Sequence, residues 1–440
     1  MTLDQVLLEK LNVAERPAPS PSTIPRDAHL PAIAGKSHAV LGMRRSGKTT
    51  FLRQLMAARR ETVAPERAIY LSFDDDRLAN VSGDQLGFLL EEYFRRHPHL
   101  RGRQTVHWYL DEIQMVPGWD RFVRRVMDTE LLEIVVSGSS ARLLSREVHT
   151  SLRGRSLPTV IRPFSFREFL RFRGEEPSLP ANRWTAAERS QVENRFREFL
   201  GEGGFPEAQR LQAPLRIELL QSYVDAVLFR DVVERHQVTQ VAALRWLVRH
   251  CLRNPGGRFS VHRLCDDLRS QGLGTNRGTV GDLLDHLQDA FLLSAVPIAT
   301  ESERQRNTNP RKLYPADQGL IGAFDTSGRS NLGHALECVV AIEAARRRAD
   351  LAYVRTVDGY EVDFLVRHLG GPSELLQVCA DPGLADTRDR ELRALAAAAV
   401  LHPRAKPKVL VMTHDQAPLV GDDFEAMPVY EWLLEPPPTA

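Results

Sequence analysis

Residues 42–50 read Gly-Met-Arg-Arg-Ser-Gly-Lys-Thr-Thr, an ungapped Gly-x-x-x-x-Gly-Lys-Thr, and no other stretch restricts the fold as tightly. An apolar run precedes it at 37–41, and an amphipathic stretch follows at 49–60. A strand, a glycine loop and a helix are the context that gives this pattern meaning. Glycines at Gly42 and Gly47 let the loop bend until successive N–H groups converge on phosphate oxygens. The helix that starts at Lys48 adds its free N–H groups and the positive end of its dipole. Gly42, Arg44, Arg45, Ser46, Gly47, Lys48, Thr49 and Thr50 are therefore the candidate nucleotide-binding residues. Lys48 is placed to reach the β- and γ-phosphates, and Thr49 to ligate Mg²⁺. The implied cofactors are ATP and Mg²⁺.

The other half of such a site is an apolar strand that ends in acids. Residues 106–112, Val-His-Trp-Tyr-Leu-Asp-Glu, supply it about 60 residues downstream. Asp111 is the candidate metal residue, and Glu112 the candidate general base for the attacking water. The next apolar run, 132–137, ends in Ser137-Gly138-Ser139-Ser140. Either Ser139, the first choice, or Ser137 suits a sensor of the γ-phosphate; a plain helix N-cap is the competing reading. Arg153 and Arg155, in Arg-Gly-Arg, are candidates for a finger reaching a neighbouring subunit's nucleotide, against a solvated turn. Further runs at 68–73 and 105–110, with a helical 83–96, extend the alternation that gives a parallel sheet.

The 440 residues carry 58 Lys and Arg against 57 Asp and Glu. A near-zero net charge excludes a polycationic nucleic-acid coat but not a basic face. Only six of those cations are lysines, at 10, 36, 48, 312, 406 and 408. Genome bias explains most of the arginine, so a lysine held at position 48 is informative. Four cysteines without a CxxC pair suit a reducing compartment. With no apolar run of membrane-spanning length, the expected location is cytoplasmic, with no membrane partner.

Beyond residue 160 the pattern turns helical at 165–173, 184–200 and 214–236. Three short helices follow at 244–252, 260–270 and 279–290. An extended run at 291–298, a charged, turn-rich 300–311 and a strand at 312–314 complete a winged-helix pattern. The last third is α/β, with helices at 335–348 and 388–400 and strands at 351–357, 360–368, 374–380 and 408–413. The expected division is an N-terminal helix and proline-rich lead-in (1–35), a P-loop core (36–160), a helical lid or linker (161–236), a winged-helix domain (237–314) and a C-terminal domain (315–440).

Taken with LSFDDDRL (71–78), YLDEIQ (109–114), RPFSFREFL (162–170), GGFP (203–206), LYPADQGL (313–320) and EVDFLV (361–366), the chain resembles prokaryotic AAA+-type P-loop ATPases fused to an uncharacterised restriction-endonuclease-like α/β domain. The resemblance implies a DNA-associated or regulatory ATPase working as a ring-shaped homo-oligomer, a hexamer being one option. It also implies a nuclease site of a helix Glu, a strand Asp and a Glu-x-Lys on the next strand. Here those positions hold Glu337, Asp363, Gln377 and Cys379. A neutral amide and a thiol replace an acid and an ammonium, so the expectation is a nuclease-shaped, inactive domain. DNA is the expected partner, branched DNA being one option, contacted through Asn276 and Arg277 on the third helix and through Arg304, Arg306, Arg311 and Lys312 on the wing. Two other readings stay open: a nucleotide-dependent signalling module that binds protein in a defence or toxin–antitoxin setting, and a live nuclease whose active site has migrated.

Overall fold

The computed structural model describes residues 2–16, 23–31, 33, 35–140, 154–325 and 331–436. The chain divides into two compact units, Met1–Arg162 with Asp289–Phe291, and Pro163–Gln288 with Leu292–Ala440.

The first unit is built on five strands: β1 (Ser37–Leu41), β2 (Ala68–Ser72), β3 (Val106–Asp111), β4 (Leu132–Gly138) and β5 (Ser156–Val160). Their order is β2-β3-β4-β1-β5, and every pair is parallel. Parallel neighbours need crossovers, and helices α2 (Lys48–Arg60), α3 (Gly83–Arg96) and α4 (Trp119–Thr129) lie in the connections. Both faces of the sheet are covered, which is why β3 is buried at all six positions. On one face, Phe51, Leu52 and Met56 of α2 pack with Val40, Tyr109 and Val135. On the other, Leu89 and Tyr93 of α3 and Phe122 and Val126 of α4 join Leu71, Trp108 and Ile134. Each such side chain contributes roughly 1.5–3 kcal/mol by leaving water. Helix α1 (Leu3–Ala14), capped by a Thr2–Gln5 box, adds Val6, Leu7 and Leu11 to the same core. Sequence reading passed over β5 because Pro158 sits in its middle. Among the described residues β5 is an edge strand paired only with β1, the position where a missing N–H is tolerated.

The second unit begins with helices α5 (Phe166–Arg173), α6 (Ala186–Glu202) and α7 (Ala213–Ala226). The run read as one helix to 236 changes winding, since Val227–Glu234 is a π-helix. Helices α8 (Val241–Arg253), α9 (Val261–Ser270) and α10 (Arg277–Asp289) follow, interleaved with an antiparallel sheet of order β6-β8-β7: β6 (Arg258–Phe259), β7 (Leu293–Val296) and β8 (Arg311–Pro315). The segment expected to be turn-rich between β7 and β8 holds a short helix, α11 (Glu303–Thr308), because Ser302 caps it by accepting from Gln305 N. After α12 (Gly319–Phe324), a mixed sheet of order β13-β12-β11-β10-β9 closes the unit. Its strands are β9 (Asp350–Arg355), β10 (Glu361–Arg367), β11 (Ser373–Cys379), β12 (Ala405–Val411) and β13 (Glu425–Pro428), with helices α13 (Leu332–Arg346), α14 (Ala385–Leu401) and α15 (Val429–Leu434). β9, β10 and β11 are antiparallel; β11, β12 and β13 are parallel. No described helix is long and apolar enough to cross a membrane.

Candidate nucleotide site

Register brings the carboxyl ends of β1, β3 and β4 together, with Leu41 opposite Gly138 and Leu110 opposite Val136. The chain turns out of β1 at Gly42, whose φ is +147°. A Cβ there would lie 2.1 Å from Ile161 O and 3.1 Å from Ser46 Oγ. Arg45 (φ +66°) and Gly47 (φ +101°) are also left-handed, so the loop folds back on itself before α2 starts. Lys48 is buried. Its Nζ donates to Gly42 O (3.0 Å) and Met43 O (3.1 Å) and lies 3.8 Å from Glu112 Oε1.

Asp111 is the hub. Its Oδ2 accepts from Thr49 Oγ1 at 2.7 Å and from Tyr70 OH at 2.6 Å, and its Oδ1 accepts from Ser137 Oγ. Burial, reinforced by this carboxylate, pushes the Tyr70 phenol well above its ordinary pKa, so it remains a donor. Ser137 Oγ also accepts from Glu112 N at 3.0 Å. One buried hydroxyl thus ties both acids to the tip of β4. Glu112 adopts φ +53°, a conformation costing a non-glycine residue about 1–3 kcal/mol, and its carboxylate accepts from Gln114 Nε2.

These residues fit a magnesium nucleotide. Thr49 and Asp111 present a hydroxyl and a carboxylate to one point. The ammonium of Lys48 sits on the loop's own carbonyls, and Ser46 Oγ, fully buried, has no hydrogen-bond partner among the described residues. A buried hydroxyl left over beside the start of α2 is a donor of the kind a phosphate oxygen satisfies.

Of the expected site residues, the structure brings Lys48, Thr49, Asp111, Glu112 and Ser137 together. Ser139 is buried just beyond the tip of β4; the hydroxyl on the two acids is that of Ser137. Arg155 is not at its own P-loop: it precedes β5, at the opposite end of the sheet, and pairs with Asp128. Arg153 lies outside the described residues. Arg26 was missed. It comes from the proline-rich lead-in, is buried, and donates to Ser46 O (3.0 Å) and Arg162 O. Nothing local in the sequence marks it, since its partners lie 20 and 136 residues away.

Three of the six nucleic-acid candidates of the second unit have side chains engaged elsewhere. Asn276 Oδ1 accepts from Thr279 N at 2.9 Å, an N-cap for α10. Arg306 pairs with Asp350 at 3.6 Å, while Arg277 and Arg304 are exposed. Lys312, expected on a wing surface, is instead buried, because β8 is the central strand of its sheet and the Lys312 side chain finds acidic partners inside.

At the degenerate nuclease position, Gln377 Nε2 donates to Asp363 Oδ2 (2.9 Å) and to Glu391. Glu337 accepts from Tyr314 OH at 3.0 Å. Burial and the nearby Asp363 charge push the Glu337 carboxyl well above the usual carboxylate range, and burial raises the Cys379 thiol to about 11.

An AAA domain matches residues 35–170, and a domain of unknown function (DUF8612) matches residues 193–331. The uncharacterised protein MJ1544 of Methanocaldococcus jannaschii is 31% identical over 98% of this chain and 95% of its own length. An uncharacterised protein of Haemophilus influenzae is 27% identical over 90% of this chain and 94% of its own. Among solved structures, the Walker-type ATPase PABY2304 of Pyrococcus abyssi is similar over 73% of this chain and 94% of its own, at 16% identity and a TM-score of 0.40. With residues 35–170 matched by an AAA domain and nearly the whole chain matched by the M. jannaschii protein, the chain belongs to that protein's family and is an AAA+-type P-loop ATPase.

Proposed function

We propose that Lys48, Thr49, Asp111 and Glu112 carry out magnesium-dependent ATP hydrolysis and that turnover is coupled to DNA binding by a homo-oligomeric ring. The carrying observation is the 2.7 Å contact of Thr49 Oγ1 with Asp111 Oδ2, with the neighbouring Lys48 Nζ 3.8 Å from Glu112 Oε1. Lys48 leaves the loop carbonyls for the β- and γ-phosphates, and Gly42–Gly47 present backbone N–H groups to them. Thr49 and Asp111 hold Mg²⁺, which when bound offsets phosphate charge. Glu112 accepts the proton of the attacking water, and Gln114 and Ser137 hold it in place. Arg26 braces the P-loop through Ser46 O.

The DNA reading is supported by the middle of the second unit, where three helices and a three-stranded antiparallel sheet follow the order of a winged helix, with Arg277 exposed at the start of α10. One observation favours the protein-binding alternative: Asn276, Arg306 and Lys312 are already engaged. Binding to single-stranded, duplex and branched DNA across a salt series, with ATP turnover followed, separates the two. The DNA reading expects DNA-stimulated turnover and a steep loss of affinity with salt. No binding to any DNA defeats it and leaves the protein-binding reading.

A further inference from the structure

Helix α8 carries Arg245, Arg249 and Arg253 at steps of four residues, about 6 Å apart along one side. Its 13 residues include no acid. Elsewhere helical arginines are answered by an acid one turn away, as Arg96 is by Glu92, Arg197 by Glu193 and Arg347 by Glu343. Like charges one turn apart weaken a helix, so an unanswered ladder is a local cost. Genome bias accounts for arginine in place of lysine, and not for the missing acids.

The ladder borders a cavity of about 310 Å³ shared with α7, the π-helix and the end of α12, a size that suits a small ligand. Val224, Leu228, Val248 and Phe324 line it with apolar and aromatic surface. Two clasps on α12 fix one end: Gln221 Nε2 donates to Ala323 O at 2.7 Å, and Arg253 Nε to Phe324 O at 2.9 Å. The second clasp leaves both terminal nitrogens of Arg253 without a partner among the described residues. Arg249 has no ion pair or hydrogen bond among them, and Arg245 lies 5.0 Å from the ring centre of Phe229. Asp225 and Asp325 border the same space, yet among the described residues no guanidinium of the ladder pairs with either. Leu228 and Phe229 belong to the π-helix, a winding that collects at functional sites.

We propose that this cavity binds a nucleoside that carries phosphates on two separate ribose oxygens, with Arg245, Arg249 and Arg253 holding the phosphates. The guanidinium fork matches phosphate oxygens in pairs. Phosphates on the 3′ and 5′ oxygens of one ribose stand apart by a distance comparable with one step of the ladder, so each meets its own arginine. The two phosphates of a pyrophosphate are closer together and crowd a single rung. Phe324 offers a face on which the base stacks, and Asp225 is an acceptor for a ribose hydroxyl or a base amino group. This chemistry has two sources: a free nucleoside bisphosphate, and one nucleotide step of a single strand. The site does not depend on DNA contact elsewhere in the chain.

The test uses the full-length chain as Lys48→Ala, so that the P-loop does not compete, titrated with adenosine 3′,5′-bisphosphate in a calorimeter without magnesium. One site per chain is expected. Added to this background, Arg245→Ala and Arg249→Ala are each expected to weaken binding about tenfold, the scale of a lost charge-assisted bond. Adenosine 5′-monophosphate is expected to bind about tenfold more weakly than the bisphosphate. Arg103→Ala, which removes an exposed arginine of the other unit, is expected to change nothing. Arg245 and Arg249 are exposed, and circular dichroism checks that their variants fold. Competition with single-stranded oligodeoxyadenylate names the source: displacement points to a nucleotide step within a strand, and its absence to a free bisphosphate. The proposal is overturned if the bisphosphate does not bind, if binding is indifferent to Arg245→Ala and Arg249→Ala, or if the monophosphate binds as tightly.

Discussion

Ser137 Oγ touches both acids of the nucleotide site, accepting from Glu112 N and donating to Asp111. Removing that hydroxyl frees the tip of β3 without deleting a ligand. Ser137→Ala is expected to leave ATP affinity within a few-fold and to lower kcat about tenfold, the usual effect of releasing a group that orients a ligand. A steady-state KM and kcat measurement checks it, and equal loss in binding would show that Ser137 is not a positioning residue. Against it, Lys48→Ala is expected to abolish ATP binding, and Glu112→Gln to retain bound ATP while turnover falls about a hundredfold or more. Filter binding and a turnover assay separate the two, and full turnover in either variant would defeat the site assignment. The contiguous motif residues were readable because their geometry is local: a glycine loop and the four residues after it fix Lys48 and Thr49. Ser137 was visible only as an alternate, Lys312 only as a surface residue of the wing, and Arg26 not at all. Their partners come through register and packing over tens of residues, which spacing does not encode.

Among elements, α12 and the turn after α6 are joined by one buried acid. Asp317 Oδ2 accepts from Gly204 N at 2.7 Å and Oδ1 from Gly319 N at 2.9 Å. A Cβ on Gly203 would fall 2.0 Å from that carboxylate, and one on Gly204 would fall 2.3 Å from Phe164 O. This is the physical content of the GGFP and ADQG strings, which the sequence offered only as marks of resemblance. Burial pushes Asp317 up to about 6, outweighing the two N–H bonds and the Arg346 charge that act the other way. The folded state therefore holds the proton more tightly than the unfolded chain. This group's stabilisation is complete below about pH 4 and is lost as pH rises through 6, a change of about 3 kcal/mol. Asp317→Asn does not titrate and gives up one of the two N–H bonds. The wild type's stability relative to that variant is expected to decline from pH 4 to 6.5 and then level, as read from urea midpoints of the full chain. A pH-independent difference would refute the assignment. The sequence located most helices and strands within a few residues, since period and length survive without tertiary context. It lost β5 to Pro158 and α11 to its charge, because pairing at a sheet edge and a Ser302 cap decide those segments.

For the whole molecule, Arg155 carries the assembly question. It stands just before β5, and β5 runs parallel to β1, whose far end opens into the P-loop. A side chain at the start of β5 is a full strand length from its own nucleotide and cannot serve it, so any catalytic role is in trans. Its present partner does not hold it firmly. The Asp128 pair is 39% and 52% exposed, and pairs of that kind contribute about 1 kcal/mol or less. An approaching phosphate charge on a neighbour can displace it. If the protein turns over as a ring, Arg155→Ala lowers turnover about a thousandfold, the scale of an arginine finger, with ATP binding intact. Lys48→Ala is inactive for the opposite reason: it has a finger and no phosphate site. Mixed before assembly, the two variants form interfaces in which an intact site from one faces an intact Arg155 from the other. Activity is then expected to reappear in the mixture, highest near equal amounts and absent from either variant alone. Two inactive proteins that stay inactive at every ratio, while gel filtration shows them co-assembled, would remove Arg155 from the site.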